Sequence, residues 1–225
     1  MKKGFIILFI VTAFIYMPAN VSIADELNPE SVIFNINKGV TLAKEIFRAK
    51  EKFVKVRINF PLLAKFWPDI EKVSKKFSLD PLLIAATIKQ ESGFNPKARS
   101  YRNAIGLGKI IPPTARSIAK IYNINNYNLY NYKDNLMLMG AYLSHLTNLF
   151  THPKYDDYLT VDGKQIKKTL VYTIASYNAG PGNAKRWTSI RETRKYVPKV
   201  LNFYRTYLKI LGKTSSNINR NNFLN

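Results

Sequence analysis

The segment Ile88-Lys89-Gln90-Glu91-Ser92-Gly93-Phe94-Asn95-Pro96 decides how this chain is read. It places a single carboxylate where an apolar helix stops. Upstream, Asp80-Pro81 has the form of an N-cap followed by proline at the first helical position, where a missing N–H matters least. Residues 82–90 contain no glycine or further proline, and Gly93 with Pro96 is a stop signal. Ile84, Ile88 and Glu91 fall at i, i+4 and i+7, so the carboxylate shares a face with core-type side chains. Desolvation on that face disfavours the charged form, and the negative end of the helix dipole acts in the same direction. Both raise the pKa, as a general acid working near neutral pH requires. The plain alternative is a last-turn glutamate pointing into water, and this segment alone leaves both open.

Outward from Glu91 the chain reads as mainly α. Residues 62–77 form one or two helices interrupted at Pro68. The stretch 92–113 has three glycines and three prolines and no periodic run, so it is mainly loop or short strand. Further helices are expected at 114–122, 134–150, 168–177 and 192–211, with Pro198 kinking the last or marking its first turn. Asp134 is expected to cap its helix, and Met137 and Met139 to fill core. Between these lie a loop at 123–132, a polar excursion at 151–166 and the turn Asn178-Ala179-Gly180-Pro181-Gly182. There are no repeats and no strong strand alternation. His145 and His152 stand seven apart with no cysteine or paired acid at ligand spacing, so neither a metal nor another cofactor is expected.

With 225 residues, 46% of them hydrophobic, the chain suits one ordinary domain with some decoration. Met1-Lys2-Lys3 is a basic start, 4–16 is almost unbroken apolar sequence, and Ser22-Ile23-Ala24 carries small residues where a signal peptidase reads. Residues 1–24 are therefore expected to be a signal peptide, exporting the protein to the periplasm or cell wall. The absence of cysteine rules out lipid attachment at that site and any disulfide, so the core alone must hold the fold. Residues 25–60 form an N-terminal helical accessory segment, in which 40–56 has helical periodicity and a basic polar face. The main unit is expected at 61–212, and 213–225 as a flexible tail. A net charge of +21 calls for an anionic partner or surface. Export argues against nucleic acid and towards the wall or a membrane surface. A lysine-rich compositional bias would give the same balance, because the lysines are spread along the chain.

Four segments in order resemble the catalytic domain of the soluble lytic transglycosylases, relatives of goose-type lysozyme. The first is Glu91-Ser92-Gly93-Phe94-Asn95-Pro96. The second runs from Ser100 through Ala104, Gly106-Leu107 and Ile110 to Pro112 with Thr114-Ala115. The third lies in 135–143, with Gly140 and Tyr142-Leu143, and the fourth is Tyr177-Asn178-Ala179-Gly180-Pro181-Gly182 followed by Glu192-Thr193-Arg194 and Tyr196-Val197. The resemblance covers about residues 65–210. It implies a lysozyme-like α fold and cleavage of the β-1,4 bond between N-acetylmuramic acid and N-acetylglucosamine in peptidoglycan glycan strands. It makes the position of Glu91 the sole catalytic carboxylate, acid first and base second, with a 1,6-anhydro product and no water consumed. It places Tyr177 against that carboxyl, Asn178 in support of the turn, Ser100 in the cleft near a muramic or peptide group, and Gly93, Gly106, Gly180 and Tyr196 in the structural motif.

The acids downstream of Glu91 are Asp134, Asp156, Asp157, Asp162 and Glu192, and none is an obvious second catalytic carboxylate of the kind most glycosidases use. Two departures stand out. Where the family reads Gly-Ala-x-Gly-Leu-Met-Gln, this chain has Asn103-Ala104-Ile105-Gly106-Leu107-Gly108-Lys109. Asn103 can take a left-handed conformation nearly as well as glycine. Gly108 removes a cleft methionine, and Lys109 replaces the glutamine by a cation. A cation close to Glu91 would oppose its acid role; one turned to a stem-peptide or lactyl carboxylate would clamp substrate. The expectation is a monomeric exported transglycosylase, in general wall turnover or in the service of a secretion or conjugation apparatus. The alternatives are a wall-binding relative weakened by Gly108 and Lys109, and a lysozyme-type hydrolase.

Overall fold

The computed structural model of the protein describes Thr41 and residues 61–210. The chain divides into two units, Met1–Phe53 and Val54–Asn225, and every element named below belongs to the second. The expected signal peptide, the accessory segment apart from Thr41, and the tail lie outside the described residues, as do positions 211 and 212.

The described part is mainly α, as expected. Six helices run in order: α1 (Pro61–Phe77), α2 (Pro81–Ser92), α3 (Pro112–Ile121), α4 (Tyr132–Asn148), α5 (Lys168–Ala179) and α6 (Arg191–Ile210). Two 3-10 segments, Pro153–Tyr155 and Pro181–Ser189, and two strands, β1 (Tyr158–Val161) and β2 (Lys164–Lys167), complete it.

Helix α2 forms the axis of the core. Its residues 82–88 are buried on every side rather than along one stripe. A helix apolar all round belongs inside a bundle, and α2 packs chiefly on α6 and α1. Its start is fixed twice. One oxygen of Asp80 accepts from the Leu82 N–H at 2.8 Å, and the other accepts the Tyr204 hydroxyl of α6 at 2.5 Å. Its end is the left-handed Gly93, whose N–H donates to the Lys89 carbonyl at 3.2 Å. The cap signals therefore place Glu91 in the last turn of a helix anchored at both ends.

Several local expectations need correction. Helix α1 continues through Pro68 without interruption, and Pro198 lies inside α6 rather than in its first turn. Pro68 is exposed, so solvent can serve the carbonyl it leaves unpaired, while packing of Phe66, Ile70 and Val73 holds the helix on both sides. Asp134 is not the cap of α4. Asn131 is, accepting from Lys133 and Asp134 N–H groups, and Asp134 accepts instead from Asn128. The polar excursion contains a hairpin, with Tyr158 paired to Lys167 and Val161 to Lys164. Its turn is Asp162-Gly163, both at positive φ (49° and 70°), the chemistry that matches strand twist in two-residue hairpins.

Helices α1 and α4 touch through Gly140. A Cβ there would lie 2.3 Å from Val73 Cγ1 and 3.0 Å from Phe77 Cδ2. Gly140→Ala is therefore expected to push the two helices apart and lower stability by about 2 kcal/mol, despite alanine's better helix propensity. Urea unfolding checks this; a loss below about 0.5 kcal/mol would mean that the contact yields easily.

Candidate active site

The site grows from the C-terminal turn of α2. Glu91 is only partly exposed, and Oε1 accepts a hydrogen bond from the Tyr196 hydroxyl at 2.5 Å. Tyr196 comes from α6, 105 residues away in sequence, and is itself buried. The Glu91 carboxyl is pushed up from 4.5 to about 7. Burial is the largest cause. The Tyr196 hydrogen bond and the Lys109 charge oppose it, and the Glu192 charge adds to it weakly. The enclosed acid read from the sequence is thus the form this environment favours, in spite of Lys109. Such a group is about half protonated near neutrality, so it can both give and take a proton.

The loop facing Glu91 is folded on itself. Arg99 bridges to Ile105, and Ile105 exchanges both backbone hydrogen bonds with Ile110 (3.0 and 3.1 Å). Asn103 sits at φ 58°, the left-handed conformation expected of it. Asn135, fully buried on α4, organises the loop from behind. Its amide donates to the Ile105 and Leu129 carbonyls at 2.8 and 3.1 Å, and its oxygen accepts from the Gly108 N–H at 3.0 Å. The approach is so close that a Cβ on Gly106 would lie 2.4 Å from the Asn135 amide nitrogen, which leaves glycine the one residue that fits there, at φ 80°. The Asn135 position was visible in the sequence only as the start of a motif, and its structural task was not.

Gly108 explains where the tyrosines lie. A Cβ on it would stand 2.9 Å from the Tyr177 hydroxyl and 3.0 Å from Met139 Sδ. With no side chain in the way, the Tyr177 hydroxyl donates to the Gly108 carbonyl at 2.7 Å. The hydroxyl that bonds the Glu91 carboxyl is that of Tyr196, a residue of the structural motif, while the Tyr177 hydroxyl bonds the loop backbone. Tyr177 remains a neighbour of Glu91, whose charge helps raise the phenol pKa, and its ring rests 5.2 Å from that of Tyr142. Met139 is fully buried, so it fills the core behind the loop and does not restore a methionine to the cleft.

Asn178, expected in support of the turn, makes its hydrogen bonds across the α5–α6 junction. Its oxygen accepts from Thr193 Oγ1 at 2.7 Å and its amide donates to Glu192 Oε1 at 3.4 Å, clipping the end of α5 to the start of α6. Gly180, at φ 82°, follows at the exit from α5. Ser100 Oγ accepts from the Ala104 N–H at 3.1 Å, which closes its own loop and leaves the O–H to donate elsewhere. Lys109 is partly exposed, in a left-handed conformation unusual for lysine (φ 45°), with its N–H on the Gly106 carbonyl at 3.1 Å. Glu192 is exposed. Among the described residues, no group of three histidines, aspartates or glutamates could hold a metal ion. His152 uses its Nδ1 to cap a 3-10 turn by accepting from the Lys154 N–H.

A family model described as the transglycosylase SLT domain matches residues 69–198, and the chain belongs to that family. Among its relatives, the soluble lytic murein transglycosylase of Escherichia coli K12 is 29% identical over 143 residues, 56% of this chain and 20% of that protein. The membrane-bound lytic murein transglycosylase C of Histophilus somni 2336 is 33% identical over 127 residues, 54% of this chain and 32% of that protein. The chain thus spans a third or less of the length of these relatives. In structure it is similar to an inactive mutant of the lytic transglycosylase Slt from Pseudomonas aeruginosa, in which a glutamate is replaced by glutamine (TM-score 0.56, 26% identity, 71% of this chain and 26% of that one). The 70 kDa soluble lytic transglycosylase of E. coli shares the fold at 21% identity (TM-score 0.55, 89% and 39%). The lysozyme-like α architecture read from the four motifs is the one these structures share.

Proposed function

We propose that this chain is a peptidoglycan lytic transglycosylase, with residues 61–212 as its catalytic unit and 1–24 as an export signal. The observation that carries the reading is one carboxyl, Glu91, raised to about 7 by burial against the opposing hydrogen bond of Tyr196, which holds it in place. Protonated Glu91 gives its proton to the oxygen of the MurNAc–GlcNAc link as that bond breaks. The GlcNAc hydroxyl leaves, and positive charge develops at the muramic C1. The resulting Glu91 carboxylate takes the proton of the muramic C6 hydroxyl, whose oxygen closes on C1. The products are a 1,6-anhydro end and a regenerated acid, with no water consumed. Tyr196 positions the carboxyl throughout, and its hydrogen bond strengthens in the base half of the cycle.

Two features support this over the alternatives. Glu91 keeps a pKa of about 7 with Lys109 already beside it, which favours a working acid over a weakened binding relative. Glu192, the other carboxylate that Glu91 senses, is exposed and tied to Asn178, which suits structure better than a nucleophile or a water-activating base. Digestion of purified sacculi tests the reading. Soluble fragments should appear without a matching rise in reducing ends. A matching rise means a hydrolase, and sacculus binding without release means a binding protein.

The pH dependence follows from the same group. The acid step needs protonated Glu91, so kcat/KM should fall as pH rises through about 7. Lys109 lowers that value, so Lys109→Gln should move the alkaline limb upward. A limb that stays in place in the variant would remove Lys109 from the electrostatics of the site.

A further inference from the structure

Lys109 is a cation near Glu91 that forms no ion pair among the described residues. Its backbone is pinned: its N–H is on Gly106, and the preceding Gly108 is held by Asn135 on one side and Tyr177 on the other. Among the described residues the ion pairs within 4.0 Å are Lys167–Asp156 and Lys168–Asp157, both on the hairpin side, and Lys109 is in neither. Glu91, whose carboxyl feels the Lys109 charge, enters the reaction neutral. A partly exposed ammonium in that position wants an anion from the substrate.

The substrate can supply one at the right place. In muramic acid the lactyl ether stands on C3, two carbons from the reacting C1, so the lactyl group of the residue being cleaved is local to Glu91. When a stem peptide is attached, the lactyl carbonyl is a neutral amide. When the peptide has been removed, it is a carboxylate. The other carboxylates of a stem peptide lie at least one residue further from the ring, whereas the backbone that carries Lys109 is held in place beside the acid. A neutral glutamine, as in the family pattern, suits the amide; a lysine suits the free acid.

We propose that Lys109 selects muramic residues bearing a free lactyl carboxylate, which makes peptide-stripped glycan the preferred substrate. The inference rests on the transglycosylase reading above. It places the protein after an amide hydrolysis, in which water is added across the lactyl–peptide bond to leave the carboxylate on the glycan and release the peptide as its amine.

The test uses the full chain and three forms of the same glycan: peptide-bearing, stripped, and stripped with the lactyl carboxylates converted to methylamides. The readout is kcat/KM for formation of anhydro ends. Wild type should prefer stripped over methylamidated strands by about tenfold or more, since a charge-assisted hydrogen bond is roughly twice as strong as a neutral one. High salt should erode the preference. Lys109→Gln should bring the ratio close to one, and Lys109→Arg should keep most of it. Because each ratio is taken within one enzyme, a change in the acid strength of Glu91 cancels. A ratio near one in wild type, or a ratio unchanged in Lys109→Gln, overturns the inference and leaves the transglycosylase reading standing. Preference for the peptide-bearing form over both stripped forms also overturns it, and assigns Lys109 to stem carboxylates. No anhydro ends from any form overturns both readings.

Discussion

Glu91→Gln should leave the fold intact and lower turnover of peptidoglycan by about a thousandfold, within the range that one general acid–base group supplies. Glutamine has the same shape and can still accept the Tyr196 hydroxyl, so the site should keep its geometry. It cannot give a proton or take one. The same substitution has a thermodynamic signature that separates it from a damaged fold. Glu91 titrates near 7 in the native protein and at 4.5 in an ordinary setting, so between these values the folded state binds more protons than the unfolded one. Stability contributed by the neutral form is therefore complete below 4.5, and is lost as pH rises towards 7. Each pH unit in that window is worth about 1.4 kcal/mol, or about 3 kcal/mol across it. Glutamine does not ionise. The variant should match wild type below pH 4.5 and exceed it by up to about 3 kcal/mol above pH 7, read by urea unfolding. Equal stability at all pH values would mean that the carboxyl is solvated and is not the acid described.

Asn135→Ala should be among the most damaging single changes behind the site. It leaves the buried Gly108 N–H without its partner and removes the side-chain donor to the Ile105 carbonyl, which keeps the Ile110 N–H, and to the part-buried Leu129 carbonyl. An unsatisfied buried group costs about 1–3 kcal/mol, so a loss of about 2 kcal/mol is expected, most of it from the Gly108 N–H. Activity should fall further than stability alone explains, because the 105–109 loop carries Lys109 and the Gly108 contact to Tyr177. Urea unfolding and kcat/KM under conditions where the variant is folded would check both parts. Loss of stability with full activity would show that the loop holds its shape without Asn135.

The legible parts of the molecule were those set by neighbours in sequence. Asp80-Pro81 and Gly93 bounded α2 because caps are local, and Glu91 followed from its place in that helix. Asn103 could be assigned a left-handed conformation from its type alone. The illegible parts depended on contacts made across the chain. Nothing near Tyr196 says that its hydroxyl meets Glu91, because that pairing is made by packing α6 on α2. Tyr177 looked the better candidate, but its hydroxyl donates to the Gly108 carbonyl, a contact for which the missing Cβ of Gly108 leaves room. Pro68 looked like a break because local rules weigh a lost hydrogen bond and not the burial that overrides it. The hairpin carried its signal in Asp162-Gly163, but four-residue strands are too short for alternation to reveal.

The measurement that tests the central claim most directly is mass spectrometry of the terminal sugars released from purified sacculi by the protein, beside Glu91→Gln. Fragments ending in 1,6-anhydromuramic acid, absent from the variant's digest, are the expected result. Fragments ending in a reducing muramic acid, one water heavier, or anhydro ends that persist in the variant, would contradict it.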